Sequence, residues 1–161
     1  MKIRISTVLA ISLFTTVFFG CGGDEPTPTP SPSQEEKATE ALTGTGMEIW
    51  VIGDSGTVKK NNTDITSLYT DFELQLKSET ALTYSAQKSN ALFDGAGTWE
   101  FAGSNFDKII LSGTKPGAGK EISFTRTGDN LKLIFSVPDP TARINGIHAL
   151  VGNYEFNLVK K

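Results

Sequence analysis

The run Thr114-Lys-Pro-Gly-Ala-Gly-Lys-Glu121 has the glycine and lysine content of a phosphate-binding loop. It departs from that pattern twice. Thr114 stands where the first glycine belongs, and Glu121 replaces the hydroxyl residue that should follow the lysine and meet Mg²⁺. The flanking residues read as strands, so no helix N-terminus follows to receive a phosphate. A hairpin turn is the expected role. His148 is the sole histidine, which excludes a multi-His metal site. No Gly-x-Ser-x-Gly elbow accompanies it for nucleophilic catalysis. Asp54, Asp64 and Asp94 fall in turn segments without the Asp-x-Asp-x-Asp-Gly spacing of a calcium loop. Turn formation is their expected work. The sequence is therefore read as non-enzymatic, with no metal and no cofactor.

One residue carries a clear chemical expectation. Cys21 is the single cysteine, so no intrachain disulfide is possible. It follows a basic start, Met1-Lys-Ile-Arg4, and an apolar run from Ile5 to Phe19. That run suits an export signal and falls short of the ~20 residues a membrane span needs. Gly20-Cys21 at its end resembles the lipobox of bacterial lipoproteins, in which the thiol takes a diacylglycerol and the signal is cut before it. Phe18-Phe19 depart from the common Leu-then-small pattern, in the manner of looser lipoboxes in Bacteroidota-type bacteria. The expectation is a signal peptide over 1–20 and lipidation at Cys21. The partner is then a membrane, with the protein held at the outer membrane of a bacterial envelope. Acyl chains contribute about 0.8 kcal/mol per buried CH₂, so release would be very slow.

Behind Cys21 comes Gly22-Gly-Asp-Glu25, an acidic cluster similar to the surface-export signal of Bacteroidota lipoproteins, or simply a solvated tether start. Pro26-Thr-Pro-Thr-Pro-Ser-Pro32 favours extended polyproline II, a semi-rigid spacer of about 3 Å per residue. Residues 21–40 are read as a tether, whose Ser33–Glu40 end either forms a short helix or stays disordered, and 41–161 as the folded domain. A domain of that size buries roughly two-thirds of its unfolded surface and needs neither metal nor disulfide. The formal charge of −3 concentrates in the tether acids, which leaves the domain near neutral. No basic face for nucleic acid is evident.

The domain must be built from strands. Phe72, Leu74 and Leu76 alternate with polar residues, as do Ile122 and Phe124, the Leu131–Val137 run, and Tyr154, Phe156 and Leu158. Period-two alternation means a sheet with one buried face and one wet face. Gly53-Asp-Ser-Gly56, Asp94-Gly-Ala-Gly97 and Gly128-Asp-Asn130 supply short turns. Asp64-Ile-Thr-Ser-Leu-Tyr69 reads as one helical turn. The expected fold is an all-β, antiparallel up-and-down meander of eight to nine strands closing into a small barrel, which removes the exposed edges. A two-sheet sandwich is the alternative. Inside such a barrel, Trp50, Phe72, Trp99, Phe101 and Phe135 are candidates to line a ligand pocket, or simply to fill the core. Arg126 shares parity with Ile122 and Phe124. It is a candidate to point into the barrel mouth and clamp an anionic head group, or to end as a solvated strand terminus.

Four segments resemble the lipocalin-like domains of Bacteroidota lipoproteins: Leu42-Thr-Gly-Thr-Gly46, Asp64-Ile-Thr-Ser-Leu-Tyr69, Gly97-Thr-Trp-Glu-Phe101 and Gly152-Asn-Tyr-Glu-Phe-Asn-Leu158. The resemblance implies a small antiparallel barrel whose mouth takes a small apolar or amphipathic ligand. The opening segment has Gly46 where that family carries a tryptophan packed across one barrel end. Trp50, a little further along the strand, is the candidate to replace it.

Overall fold

The computed structural model describes residues 31–139 and 147–161. Cys21, the expected signal and the proline spacer up to Pro30 lie outside the described residues. Pro32–Lys161 forms one compact unit.

The unit opens with a helix, α1 (Gln34–Thr43). Its start is a capping box. The Ser33 hydroxyl accepts the Glu36 N–H at 3.1 Å, and the Glu36 carboxylate accepts the Ser33 N–H at 2.6 Å. These bonds hold the Glu36 carboxyl below its usual range, the backbone N–H of Ser33 contributing most. The helix stops at Gly44, whose φ of 57° turns the chain away. α1 straddles residue 40, where the tether was expected to end, and residues 33–40 lie within the same compact unit as the barrel.

Ten strands follow: β1 (Met47–Val51), β2 (Thr57–Lys60), β3 (Thr63–Asp64), β4 (Glu73–Lys77), β5 (Thr83–Gln87), β6 (Ala96–Phe101), β7 (Lys108–Leu111), β8 (Glu121–Thr127), β9 (Asn130–Val137) and β10 (Gly152–Lys160). Every pairing is antiparallel. The order β1-β4-β5-β6-β7-β8-β9-β10 closes on itself through β10 and β1. The result is the expected up-and-down barrel of lipocalin-like form, with eight strands in the wall and β2 and β3 as additions.

Both additions have local causes. β1 and β2 run along the same side of β10, β1 at Trp50↔Lys160 and β2 at Phe156↔Val58. The excursion Ile52–Gly56 separates them. β2 then reverses through Asn61 and Asn62, both left-handed at φ 49° and 66°, into β3. A two-residue turn with two positive φ values matches the twist of paired strands, and asparagine tolerates it. Asp64 accepts the Thr66 N–H at 2.8 Å and opens the 3-10 turn Thr66–Leu68, the helical turn expected there.

The core lies inside the wall. In β9, Leu131, Leu133, Phe135 and Val137 are buried, and the residues between them face water. The same alternation runs through β4, β7 and β10. α1 lies at one end of the barrel, beside the β4–β5 and β8–β9 turns. The β5–β6 and β7–β8 loops meet at the other end.

Candidate functional site

The six candidate pocket residues fall into three groups. Trp50 and Arg126 form a pair at the helix end. Arg126 stands opposite Leu131 in the β8–β9 ladder, on the inner face that its parity indicated. Its guanidinium lies 5.3 Å from the centre of the Trp50 ring. Its Nη1 donates to the Glu40 and Ala41 carbonyls at 3.2 Å each, and its Nε donates to the Gly128 carbonyl at 2.8 Å. Carbonyls at the last turn of a helix carry partial negative charge, which a cation satisfies. The mouth expected to receive an anionic ligand is filled at this end by α1, and Arg126 gives Nη1 to the helix and Nε to the β8–β9 turn. Trp50 is fully buried, and its Nε1–H donates to the Leu42 carbonyl at 2.9 Å. Leu42 itself inserts into the core. Glu48, also buried, pairs with Lys160 at 2.7 Å. Thr43 Oγ1 bonds the Thr39 carbonyl and Ser78 Oγ, each at 2.8 Å. This end is sealed.

Trp99 and Phe101 belong to a second group. Their rings meet edge-on at 5.3 Å, and Phe101 also contacts Phe106 and Phe124. The Trp99 indole N–H donates to the Lys77 carbonyl at 3.0 Å, tying β6 to the end of β4.

Phe72 and Phe135 belong to the third group, which fills the other half of the barrel. Phe156 is its centre, with ring centroids 5.2 Å from Tyr69, 5.2 Å from Phe72, 5.9 Å from Phe135 and 6.3 Å from Phe93. Phe135 stacks on Tyr154 at 5.2 Å, with 9° between the ring planes. Tyr154 donates its hydroxyl proton to the Leu150 carbonyl at 2.8 Å. Burial, with the neighbouring Tyr69 as a lesser cause, pushes the Tyr154 phenol up to about 12. Tyr69 is raised for the same first reason.

Phe93 is the surprising member. It comes from the β5–β6 loop and not from the wall. Its ring lies 5.4 Å from Phe135 and 6.3 Å from Phe72. Leu92 beside it is fully buried. The loop that presents them is braced by the glycine-rich run of the β7–β8 connection. Asp94 accepts the Thr114 N–H at 2.8 Å, the Lys115 N–H at 2.9 Å and the Thr114 hydroxyl at 3.1 Å. The Gly117 N–H donates to the Leu92 carbonyl at 2.9 Å. A Cβ at Gly117 would stand 2.6 Å from the Phe93 ring, and one at Gly113 would overlap the Asp94 carboxylate. The backbone N–H pair that resembled a phosphate cradle holds an internal carboxylate. The Lys115 N–H is the main cause that keeps the Asp94 carboxyl below its ordinary range.

His148 falls in the 3-10 turn Ile147–Leu150, before β10. Among the described residues, no three His, Cys, Asp or Glu side chains gather where a metal could be held. No buried side-chain polar atom among them lacks a partner. A recess of about 640 Å³ opens beside α1, lined by Glu35, Glu36, Glu40 and Glu79.

Sequence reasoning passed over Leu92 and Phe93, and read Asp94 and Tyr69 only as parts of turn segments. One signal was present. Leu92-Phe93 is an apolar pair inside a polar turn segment, Ser89-Asn-Ala-Leu-Phe-Asp94, and such a pair must go somewhere dry. Comparison of the chain with protein-family models, curated proteins and solved structures finds no match.

Proposed function

We propose that this chain is a lipid-anchored, lipocalin-like binding protein of a bacterial envelope, holding a small apolar or amphipathic molecule without reacting on it. The observation that carries the reading is the inequality of the two barrel ends. One is sealed by α1, Arg126 and Trp50. The other is closed by two loops that brace each other and set Leu92 and Phe93 into the barrel. A closed apolar wall with one loop-covered end is the arrangement in which small barrels take up a single ligand. The anchor reading rests on Gly20-Cys21 after the apolar run, and the spacer gives the domain reach from the membrane.

The test is native mass spectrometry of the protein purified from its own host. A single small apolar molecule retained in the folded species is the expected result. Repeatedly ligand-free spectra would sink the reading. Palmitate labelling lost in Cys21→Ala checks the anchor, and undiminished label removes it.

A second reading is favoured by one observation. The interior half nearest the loops is occupied by touching rings. A filled barrel on a long tether suits a module that binds a protein or glycan partner on its outer surface. Crosslinking in intact cells that yields one dominant partner, with no bound small molecule, would favour it.

A further inference from the structure

We propose that Leu92 and Phe93 form a displaceable plug, and that the space they occupy takes an uncharged, ring-bearing apolar ligand. The inference rests on the ligand-binding reading above and names its site and ligand class. Three observations support it.

The plug occupies the barrel interior without belonging to the wall. Phe93 contacts rings that come from three other places in the chain, Phe72, Phe135 and Phe156. The β5–β6 ladder, from Thr83↔Thr98 to Ser85↔Ala96, is complete without it, and its last bond joins the Ala86 N–H to the Gly95 carbonyl. Residues 88–94 can therefore leave without breaking a strand pairing.

The loop is held in place against its own backbone. Lys88, Asn90 and Ala91 are all left-handed, at φ 51°, 49° and 63°. Side chains with a Cβ adopt that region reluctantly, and Ala91 lacks even a polar group to compensate. Outside the core, the loop is tied to the rest of the barrel by the Asn90 side chain on Tyr69, the Gly117 N–H on Leu92 and the Asp94 clip on Thr114 and Lys115, while the Ser89 hydroxyl bonds Phe93 within the loop itself. The Asp94 bonds lie at the exposed surface.

The vacated space defines the ligand. Its walls are the ring faces and edges of Phe72, Phe135 and Phe156. The nearby phenol of Tyr154 already donates to Leu150. The core cluster around it holds no charged side chain, so a charged group would stay unpaired there, and the Tyr69 hydroxyl, parted from Asn90 when the loop leaves, is one polar group it offers. An aromatic or otherwise ring-bearing neutral molecule replaces the contacts Phe93 gives up.

The probe is N-phenyl-1-naphthylamine, and the protein is the compact unit Pro32–Lys161, which contains every contact described here. Fluorescence titration gives affinity, and amide hydrogen exchange reports the loop. Wild type binds saturably, and residues 89–94 exchange faster at saturation. Asp94→Ala removes the clip and binds about tenfold tighter, because less affinity is lost to opening. Phe93→Ala binds the probe without added loop exchange. Binding to wild type with unchanged or slower exchange at 89–94 overturns the plug and leaves the ligand-binding reading standing. Binding by Phe93→Ala alone also overturns the plug and counts against the ligand-binding reading, because it reports only an engineered cavity. Failure of all three proteins to bind overturns the plug and counts against an interior ligand site of any kind. If Asp94→Ala does not fold, the exchange result on wild type decides.

Discussion

The Arg126 guanidinium lies over the Trp50 ring, 5.3 Å from its centre, while donating to the carbonyls that end α1. One side chain thus joins the barrel wall, the aromatic floor and the helix. Arg126→Ala should destabilise the domain by about 2 kcal/mol, from the lost cation–π contact and the lost charged hydrogen bonds. Urea denaturation measures this. Arg126→Lys should recover less than half, because an ammonium cannot stack and fork in the same way. Full recovery by lysine would mean that charge alone matters here.

Phe156 is in contact with more rings than any other described residue's ring. Phe156→Ala should cost about 3–5 kcal/mol, since the wall strands cannot collapse onto the gap. Phe156→Leu should cost clearly less. Equal losses from the two would show that the ring contacts do not set the packing.

All three tyrosines, Tyr69, Tyr84 and Tyr154, have phenols raised by burial as the first cause, Tyr154 to about 12. The sign follows from linkage. A folded pKa above the unfolded value of about 10 favours the native state fully below pH 10. That contribution fades as pH climbs from 10 through 12. Tyrosinate absorbance should lag that of the urea-unfolded chain, and stability should fall over the same interval. A native titration that overlays the unfolded one would contradict this.

Ala91 sits at φ 63° in the plug loop. Ala91→Gly should raise stability by up to about 1 kcal/mol, the relief of a left-handed Cβ less the entropy added to the unfolded chain. Thermal unfolding measures it. A loss of 1 kcal/mol or more would show that the loop is not strained at this residue.

The acidic limb of stability should involve Asp94. Its carboxyl is lowered chiefly by the Lys115 N–H, so its contribution is present above the ordinary aspartate value and is lost as pH falls below that value and through the lowered folded one. Relative to its intrinsic rate, amide exchange across residues 113–117 should accelerate as pH falls below about 4 and on through the lowered Asp94 pKa. In Asp94→Asn that acceleration should vanish.

Much of this architecture was legible because alternation is local. The inward parity of Arg126 followed from Ile122 and Phe124 four and two residues earlier, and the β8–β9 register bears it out. What Arg126 meets was not legible. Its partners, Glu40 and Ala41, lie more than eighty residues away and reach it only once the helix crosses the barrel end. β3 escaped notice because two residues carry no period. Phe93 escaped because a loop has no periodic face.

The sequence by itself determined the class of fold. A strand's side chains alternate whatever it pairs with, so polar and apolar residues in step already specify a two-faced ribbon, and short turns between ribbons specify neighbours. Only the tertiary structure decided how the interior is used. Whether a barrel is hollow depends on the summed volume of side chains arriving from Tyr69, Phe72, Phe93, Phe135, Tyr154 and Phe156. Those positions become neighbours only when closure and the two braced loops bring them together. Packing is a property of that meeting, and no stretch of chain contains it.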